Sequence, residues 1–387
     1  MPHAYGVDPN DAILNTTKEL AGSVIAANSA SVDRDARFPA ESLEALGNDG
    51  LLGLCVDAAH GGRGQSPRMF AAVTEELAMA DPSTAMIYVM HVTAAQAIAS
   101  SAVLESRDEV LRDIAAGRHL TTLAFSETGS RSQFWAPVSH MEESNGGYIT
   151  SASKSWVTSA NHAQSYVSSV QKPGAASPLE STIYLVRTGS KGANVTSRFD
   201  GMGLRGNDSA PVALDRLEVK KGDLISNQGE GATTMLQVVL PWFSLGTAAM
   251  ANGISRACVE RTAVHLAGTG FEHDGTKLRD LPVLRARIAD MSARTEQSRA
   301  LLGLTLAHVE EGSEVAPLYV LQSRLAALEG VLAVTDLAMK ACGGAAFSRQ
   351  LGVERYFRDA RAGWVMAPTA DHLREFIGRV LTGLPLF

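Results

Sequence analysis

The order of hydrophobic patterns along the chain limits its fold more than any other feature of the sequence. Apolar residues recur at helical spacing over residues 1–120 and again over residues 233–387. Residues 121–232 instead carry short β-like runs separated by glycine, serine and asparagine clusters. A β segment between two helical segments is uncommon in one chain of 387 residues. We therefore predict an α+β protein with an N-terminal α-helical domain, a middle β-domain and a C-terminal four-helix bundle.

Local patterns predict individual elements within the three regions. In the first region, helices are expected over residues 40–54, 70–79 and 84–98. In the second, β-like runs cover residues 119–125, 148–150, 155–158, 183–186 and 212–219. In the third, the four helices of the bundle are expected over residues 233–266, 281–311, 315–342 and 368–381.

Composition and charge narrow the functional classes. The 34 basic and 41 acidic residues leave a formal charge of −7, which argues against a nucleic-acid or anionic-membrane ligand. No apolar run reaches the roughly 18 residues that a membrane span needs. Cys55, Cys258 and Cys342 are far apart, which favours free thiols in a reducing compartment. The first residues lack a signal-peptide pattern, so we expect a cytoplasmic location.

Five groups of short motifs occur in one order along nearly the whole chain. They are GLLG at Gly50 with GGRG at Gly61, LAFSETGSRSQ at Leu123, KSWVTSA at Lys154, MGLR at Met202 with Ser209, and Gly343-Gly344 with ER at Glu354 and FRDA at Phe357. Each motif alone is weak. Together and in this order they resemble the acyl-CoA dehydrogenase family, whose fold has the same three-part organisation.

The resemblance implies FAD as cofactor and a particular set of contacts to it. In such a protein Phe125 and Ser126 meet the pyrimidine edge of the flavin, Trp156 packs on the ring, and Thr158 bonds near N5. Ser132 lies near the pantetheine of the acyl carrier. The remaining cofactor positions implied by the resemblance are Lys340, Gly343, Gly344 and Thr369. Each of the less specific residues has a plainer interpretation: Trp156 as a core aromatic, Ser132 as a loop serine, and Lys340 as a solvated helix-end lysine that lacks the fork of arginine.

The family's catalytic carboxylate is missing from the pattern. In the family a glutamate a few residues after R-D-A removes the α-proton of an acyl thioester, and the β-hydride passes to the flavin. Counting onward from Asp359 without gaps, this position is Ala367. Some relatives carry the base on an earlier helix, where this chain has Phe243 followed by Ser244. The remaining candidate base is His91, whose pKa suits proton transfer, although a lone histidine on an apolar helix is also explained as a hydrogen-bonded core residue.

Three functional hypotheses follow from these motifs. The first is a flavoprotein that acts on an acyl thioester, with another base or with a leaving group that removes the need for one. The second is a flavin monooxygenase on the same fold. The third is a non-catalytic subunit paired with an active homologue, because the loop at residues 271–275 also lacks the arginine with which the family reaches a neighbour's FAD. We expect a small-molecule substrate, with a CoA thioester as one candidate form, and a homodimer or homotetramer assembled through the C-terminal bundle.

Overall fold

The computed structural model describes residues 3–386. The N-terminal region, as far as the structure describes it, contains helices and loops and no strand. Its helices are α1 Ala12–Leu20, α2 Ala26–Asp35, α3 Ala40–Asn48, α4 Pro67–Ala80, α5 Pro82–Ala99 and α6 Arg107–Ala115, with a π-helical turn at Ala21–Ile25 joining the first two. The central helices α4 and α5 are almost entirely buried, and both pack against the long C-terminal helix Leu240–Gly268. Their alanine-rich surfaces let neighbouring backbones approach closely, so these two helices join the first region to the last.

The middle region folds into two sheets. The seven strands are β1 Thr121–Ala124, β2 Met141–Ser144, β3 Gly147–Val157, β4 Ser165–Gln171, β5 Ser181–Arg187, β6 Ala193–Val195 and β7 Ala210–Val219. One sheet has the order β1-β4-β5, with β1 and β4 parallel, and the other is antiparallel with the order β2-β3-β7-β6. Strand β3 unites two of the predicted runs.

The C-terminal region returns to long helices. They are α7 Gly231–Thr234, α8 Leu240–Gly268, α9 Pro282–Glu310, α10 Ala316–Cys342, α11 Gly344–Phe347, α12 Val353–Val365 and α13 Ala370–Leu381, with a π-helical turn at Met235–Val239. Helix α10 packs on α8, α9, α12 and α13. The helix α12 is additional to the four predicted from the sequence, and it carries the FRDA motif.

One helical stretch, from Gly231 to Gly268, is long and apolar enough to cross a membrane by length and composition. No charged residue lies between Gly231 and Ser255. However, 61% of its most apolar window is buried inside the fold. Core helices of this kind pass the same test, so the stretch is explained by its packing against α4, α9 and α10.

The prediction of an α+β fold with helical, β and helical regions is confirmed, while strands β2, β4 and β6 escaped it. Strand β4, with the sequence SYVSSVQ, has every residue buried. Its serines hide the apolar pattern, yet Ser168 and Ser169 are fully buried and Ser168 bonds to Ala124 and Tyr184. We propose domain boundaries near residues 120 and 232, since β1 begins at Thr121 and α7 at Gly231.

Two distant motifs meet where the β-domain contacts α12. The backbone N–H of Leu204 donates to the Asp359 carboxylate at 2.6 Å, and Arg358 Nη1 donates to the carbonyl of Met202 at 3.0 Å. A Cβ on Gly203 would lie 2.5 Å from the Arg358 carbonyl oxygen, so only glycine fits there. Arg358 also binds Asp33 of α2 at 2.7 Å. The MGLR and FRDA motifs therefore join all three regions.

Candidate active site

The two candidate flavin motifs lie side by side in the folded chain. The segment after β1 runs antiparallel to the end of β3, with Ser155 N–H donating to the Ser126 carbonyl at 2.8 Å and Thr128 N–H donating to the Ser153 carbonyl at 3.1 Å. These bonds place the residues of the first motif next to Trp156 of the second. The sequence separates them by about thirty residues, and the sheet brings them together.

A buried ion pair fixes the two motifs to each other. Lys154 Nζ and Glu127 Oε1 are 2.6 Å apart, and their side chains are 0% and 1% exposed. The other carboxylate oxygen of Glu127 accepts the backbone N–H groups of Val138 and Ser139. Burial alone would raise the pKa of Glu127, but the charge and hydrogen bonds of Lys154 and Ser139 outweigh it and lower that pKa. The pair is therefore ionised, and it holds the loop after β1 in position.

Trp156 is not a core aromatic. Its side chain is 68% exposed, and its backbone adopts a left-handed conformation with φ of +56°. An indole held at the surface by a backbone conformation that L-residues rarely adopt is uncommon. Two residues on, Thr158 is buried and its hydroxyl lies 3.1 Å from that of Ser209. An exposed flat apolar surface beside hydroxyl and backbone polar groups fits the requirements of an isoalloxazine ring.

The other residues of the first motif differ in what they can offer a ligand. The Phe125 side chain is buried and stacks on Phe134 with ring centroids 6.3 Å apart, so Phe125 can meet a ligand only through its backbone. Ser126 is half-buried at the edge of the sheet. Ser132 is also half-buried and has a φ of +70° in the loop that follows. Its position agrees both with a ligand contact and with an ordinary loop serine.

The two positions at which the family places its base hold no ionisable group. Ala367 is half-buried in the segment between α12 and α13, and Phe243 is 9% exposed on α8. The Ala367–Pro368 peptide bond is cis. Beside Phe243, the hydroxyl of Ser244 is buried and has no hydrogen-bond partner in the described part of the chain.

An arginine lies between these two positions. Arg324 of α10 is 0% exposed, and its Cζ lies 4.8 Å from the centroid of the Phe243 ring. Its Nη2 donates to the Met366 carbonyl at 3.1 Å, next to Ala367. Burial lowers the pKa of Arg324 to about 9, but an arginine in this range is still charged at neutral pH. Arg324 thus places a cation next to both positions at which the resemblance implies a base.

Sequence inspection missed Arg324, although a signal was present. Arg324 lies on the buried stripe of α10, whose other members at helical spacing are Val320, Leu321, Ala327, Leu328 and Val331. A charged residue within an apolar helical stripe is unusual. Such a residue indicates either a buried ion pair or a binding function.

His91 is not supported as a base. The side chain is 0% exposed, and both ring nitrogens are used: Nε2 lies 3.0 Å from the Leu52 carbonyl, and Nδ1 accepts the Thr121 N–H at 3.1 Å. This arrangement fixes a neutral tautomer with the proton on Nε2. Burial lowers the pKa of His91 to about 4. The hydrogen-bonded core interpretation replaces the catalytic one, and His91 joins α5 to the start of the β-domain.

The remaining candidates lie at the ends of C-terminal helices. Lys340 is exposed near the end of α10, and Gly343 and Gly344 are exposed beyond it, with Gly343 at a φ of +57°. No atom lies within 4 Å of a Cβ built on either glycine, so the backbone there is open to a ligand. Thr369 caps α13 by accepting the backbone N–H of His372. Among the described residues, no contact joins Lys340, Gly343, Gly344 or Thr369 to Ser126, Trp156 or Thr158.

Comparison with known proteins identifies the family and the fold. The family model for the acyl-CoA dehydrogenase N-terminal domain matches residues 8–118, and the model for the C-terminal domain matches residues 229–382. The chain is 24% identical to the mitochondrial short/branched chain specific acyl-CoA dehydrogenase of Bos taurus, over 93% of this chain and 82% of the relative.

Solved structures share the whole fold. The glutaryl-coenzyme A dehydrogenase glutaryl-CoA complex superposes with a TM-score of 0.91 at 21% identity, covering 97% of this chain and 95% of the other. Butyryl-CoA dehydrogenase from Megasphaera elsdenii superposes with a TM-score of 0.90 at 19% identity, covering 96% and 97%.

The fold and the family matches define a flavoprotein oxidoreductase of the helical–β–helical class. The chain belongs to the acyl-CoA dehydrogenase family. The cofactor of this family is FAD.

Proposed function

We propose that this protein is an FAD-dependent oxidoreductase of acyl-CoA dehydrogenase type that acts on an acyl thioester without the family's carboxylate base. One observation carries the proposal. The exposed Trp156 and the buried Thr158 are held beside Ser126, whereas Ala367 and Phe243 occupy the two base positions. Relative to the family pattern, the chain keeps the residues suited to a flavin and lacks the carboxylate needed for ordinary proton abstraction.

The residues of the β-domain would hold and orient the cofactor. Trp156 offers its ring face, the backbone of Phe125 and Ser126 offers polar groups to the pyrimidine edge, and the Thr158 hydroxyl is supported by Ser209 at 3.1 Å. When bound, FAD supplies a two-electron hydride acceptor. The buried Glu127–Lys154 pair joins the segment after β1 to the end of β3. It therefore keeps Ser126 and Trp156 in register.

Neither base position provides a residue that could remove the α-proton of the thioester. A methyl group at Ala367 and a phenyl ring at Phe243 accept no proton. A well-placed general base contributes a factor of about 10² to 10⁴, so straight-chain acyl thioesters should react slowly. The favoured substrates are those whose α-carbon needs no base, because a leaving group departs or because another group supplies the base.

A non-catalytic role alongside an active homologue is the second candidate. In the loop between α8 and α9, residues 271–276, which would reach a neighbour's FAD, are exposed and include no arginine. This loss accompanies the loss of the base. Such a subunit would retain the fold but bind FAD poorly or not at all.

We propose a homodimer or homotetramer assembled through the C-terminal helices. Exposed apolar side chains mark this region: Val264, Val283, Leu304, Val315 and Phe347, the last of them 85% exposed. Exposed apolar patches often mark contacts between chains. Sedimentation should give a mass of two or four chains at micromolar concentration, and the mass of one chain would contradict the assembly.

A cytoplasmic location remains part of the proposal.

The proposed function is tested by titrating purified protein with FAD and then adding thioesters without oxygen. We expect a shifted flavin absorbance, quenched fluorescence, and a further spectral change when an acyl-CoA binds. Absence of FAD binding at tens of micromolar would favour the non-catalytic subunit. Turnover that requires oxygen and a flavin reductase would favour the monooxygenase instead.

A further inference from the structure

Arg324 is a buried cation without a counter-charge. Among residues 3–386, no carboxylate lies within ion-pair distance of its guanidinium. Its Nε and Nη1 are buried and have no hydrogen-bond partner. Removing a charge from water without a partner is strongly unfavourable, so an uncompensated buried guanidinium needs a physical reason.

Arg324 has one polar contact and one aromatic contact, and neither neutralises it. The Met366 carbonyl satisfies Nη2 at 3.1 Å. The Phe243 ring contacts the guanidinium face, with Cζ 4.8 Å from the ring centroid. Both contacts come from segments that carry the base positions implied by the resemblance. The guanidinium is thus oriented by residues next to these positions, and its Nε and Nη1 have no partner.

A second buried arginine, Arg355, has different surroundings. Arg355 of α12 is 6% exposed and also makes no ion pair among the described residues, but the nearby carboxyl groups of Asp81 and Asp359 act on its charge. Arg324 has no such neighbour. The unbonded Nε and Nη1 of Arg324 lie inside the fold. An anion would therefore reach them only on a group that enters the fold, and in an acyl-CoA site that group is the acyl chain.

We propose that Arg324 binds a carboxylate on the acyl chain, so that the substrates of this site are carboxyacyl thioesters, such as half-thioesters of dicarboxylic acids. This inference rests on the proposed function and names its substrate class. Replacement of the carboxylate base by Ala367, together with the unpaired Arg324, makes the site positive. A positive site favours an acyl group that brings its own negative charge.

The test compares two five-carbon thioesters that differ at one end. Glutaryl-CoA has a terminal carboxylate where valeryl-CoA has a methyl group. Their affinities for FAD-loaded protein are measured by calorimetry and by the flavin spectrum. One charge-assisted hydrogen bond corresponds to about 10- to 100-fold in affinity, so wild-type protein should bind glutaryl-CoA that much more tightly. Arg324→Met should abolish this preference, and Arg324→Lys should keep part of it.

The outcomes separate this inference from the proposed function. Equal binding of both thioesters by wild-type protein would overturn the carboxylate site and leave the acyl-thioester function standing. Binding of neither would overturn both. The wild-type comparison stands even where a variant fails to fold.

Thermal unfolding supplies a second readout. If Arg324 serves binding, Arg324→Met should unfold at the same or a higher temperature, because an unpaired buried charge is removed. A merely structural role would lower the midpoint. Arg355→Met is the matched control: it should lower the midpoint by leaving Asp81 and Asp359 unbalanced, without changing the ratio of the two affinities.

Discussion

Glu127 and Lys154 form an ion pair with 2.6 Å between Oε1 and Nζ, inside a protein core that leaves their side chains 1% and 0% exposed. A second pair, Lys172 and Glu180, has the same separation of 2.6 Å, but its side chains are 34% and 37% exposed. The two pairs differ in burial and not in length. They offer an internal comparison of what such a contact contributes.

Lys154→Met should be strongly destabilising, because it leaves the Glu127 carboxylate buried without its partner. Breaking a buried pair costs about 3–5 kcal/mol, whereas Lys172→Met should cost less than about 1 kcal/mol. Urea unfolding measures both. The double variant Glu127→Gln/Lys154→Met should recover part of the loss, and equal losses in the two single variants would refute the distinction.

Trp156→Ala should weaken FAD binding, since the exposed indole is the flat surface proposed for the flavin. Loss of an aromatic contact of this size corresponds to about 1–3 kcal/mol, or roughly tenfold to a hundredfold in Kd. Fluorescence quenching of added FAD measures it. Val380→Ala removes an exposed apolar side chain from α13 and serves as the control. An unchanged Kd for the Trp156 variant would remove this residue from the cofactor site.

Ala367→Glu should accelerate flavin reduction by valeryl-CoA, by up to about 10²–10⁴-fold if the new carboxylate is well placed. Arg324 would limit this gain, because Met366, its hydrogen-bond partner, adjoins position 367. A cation so close lowers a carboxylate pKa by about one to three pH units. The reduction rate of Ala367→Glu should therefore rise at lower pH than that of Ala367→Glu/Arg324→Met. Coincident pH profiles would place Arg324 outside the base region.

Asp359 should make the protein less stable as the pH rises from about 4 to about 7. Burial raises the pKa of this carboxyl from 3.8 to about 7 in the folded protein, against the effects of the Leu204 N–H and Arg355. In that range the unfolded chain has released a proton that the folded chain retains, so unfolding is favoured by rising pH. Asp359→Asn should flatten this part of the stability profile, and Asp290→Asn, at an exposed position, should not.

His91 should act in the opposite direction. Its pKa is lowered from 6.5 to about 4, so acidification through this range protonates the unfolded chain first and favours unfolding. His91→Gln should remove this acid sensitivity. It should also cost about 1–3 kcal/mol for disturbed buried hydrogen bonds. The pH profile of flavin reduction should stay unchanged, and a lost ionisation in that profile would restore His91 as an acid–base group.

The sequence by itself determined the order of the regions and indicated the surface that is proposed for the cofactor. Hydrophobic periodicity is a local property, so the switches near residues 120 and 232 were visible without coordinates. Trp156 and Thr158 were found because motif spacing is also local. Strand β4 was missed for a physical reason: its serines are polar in composition, and only the sheet shows that their hydroxyl groups are enclosed.

Only the tertiary structure decided what several polar residues do. His91 looked available for catalysis until both of its nitrogens were found bonded to backbone from other segments. Arg324 looked like one more helix charge until α8, α10 and the segment after α12 closed around it without a carboxylate. The charge balance of a buried group depends on which distant residues fold against it, and no local pattern contains that information.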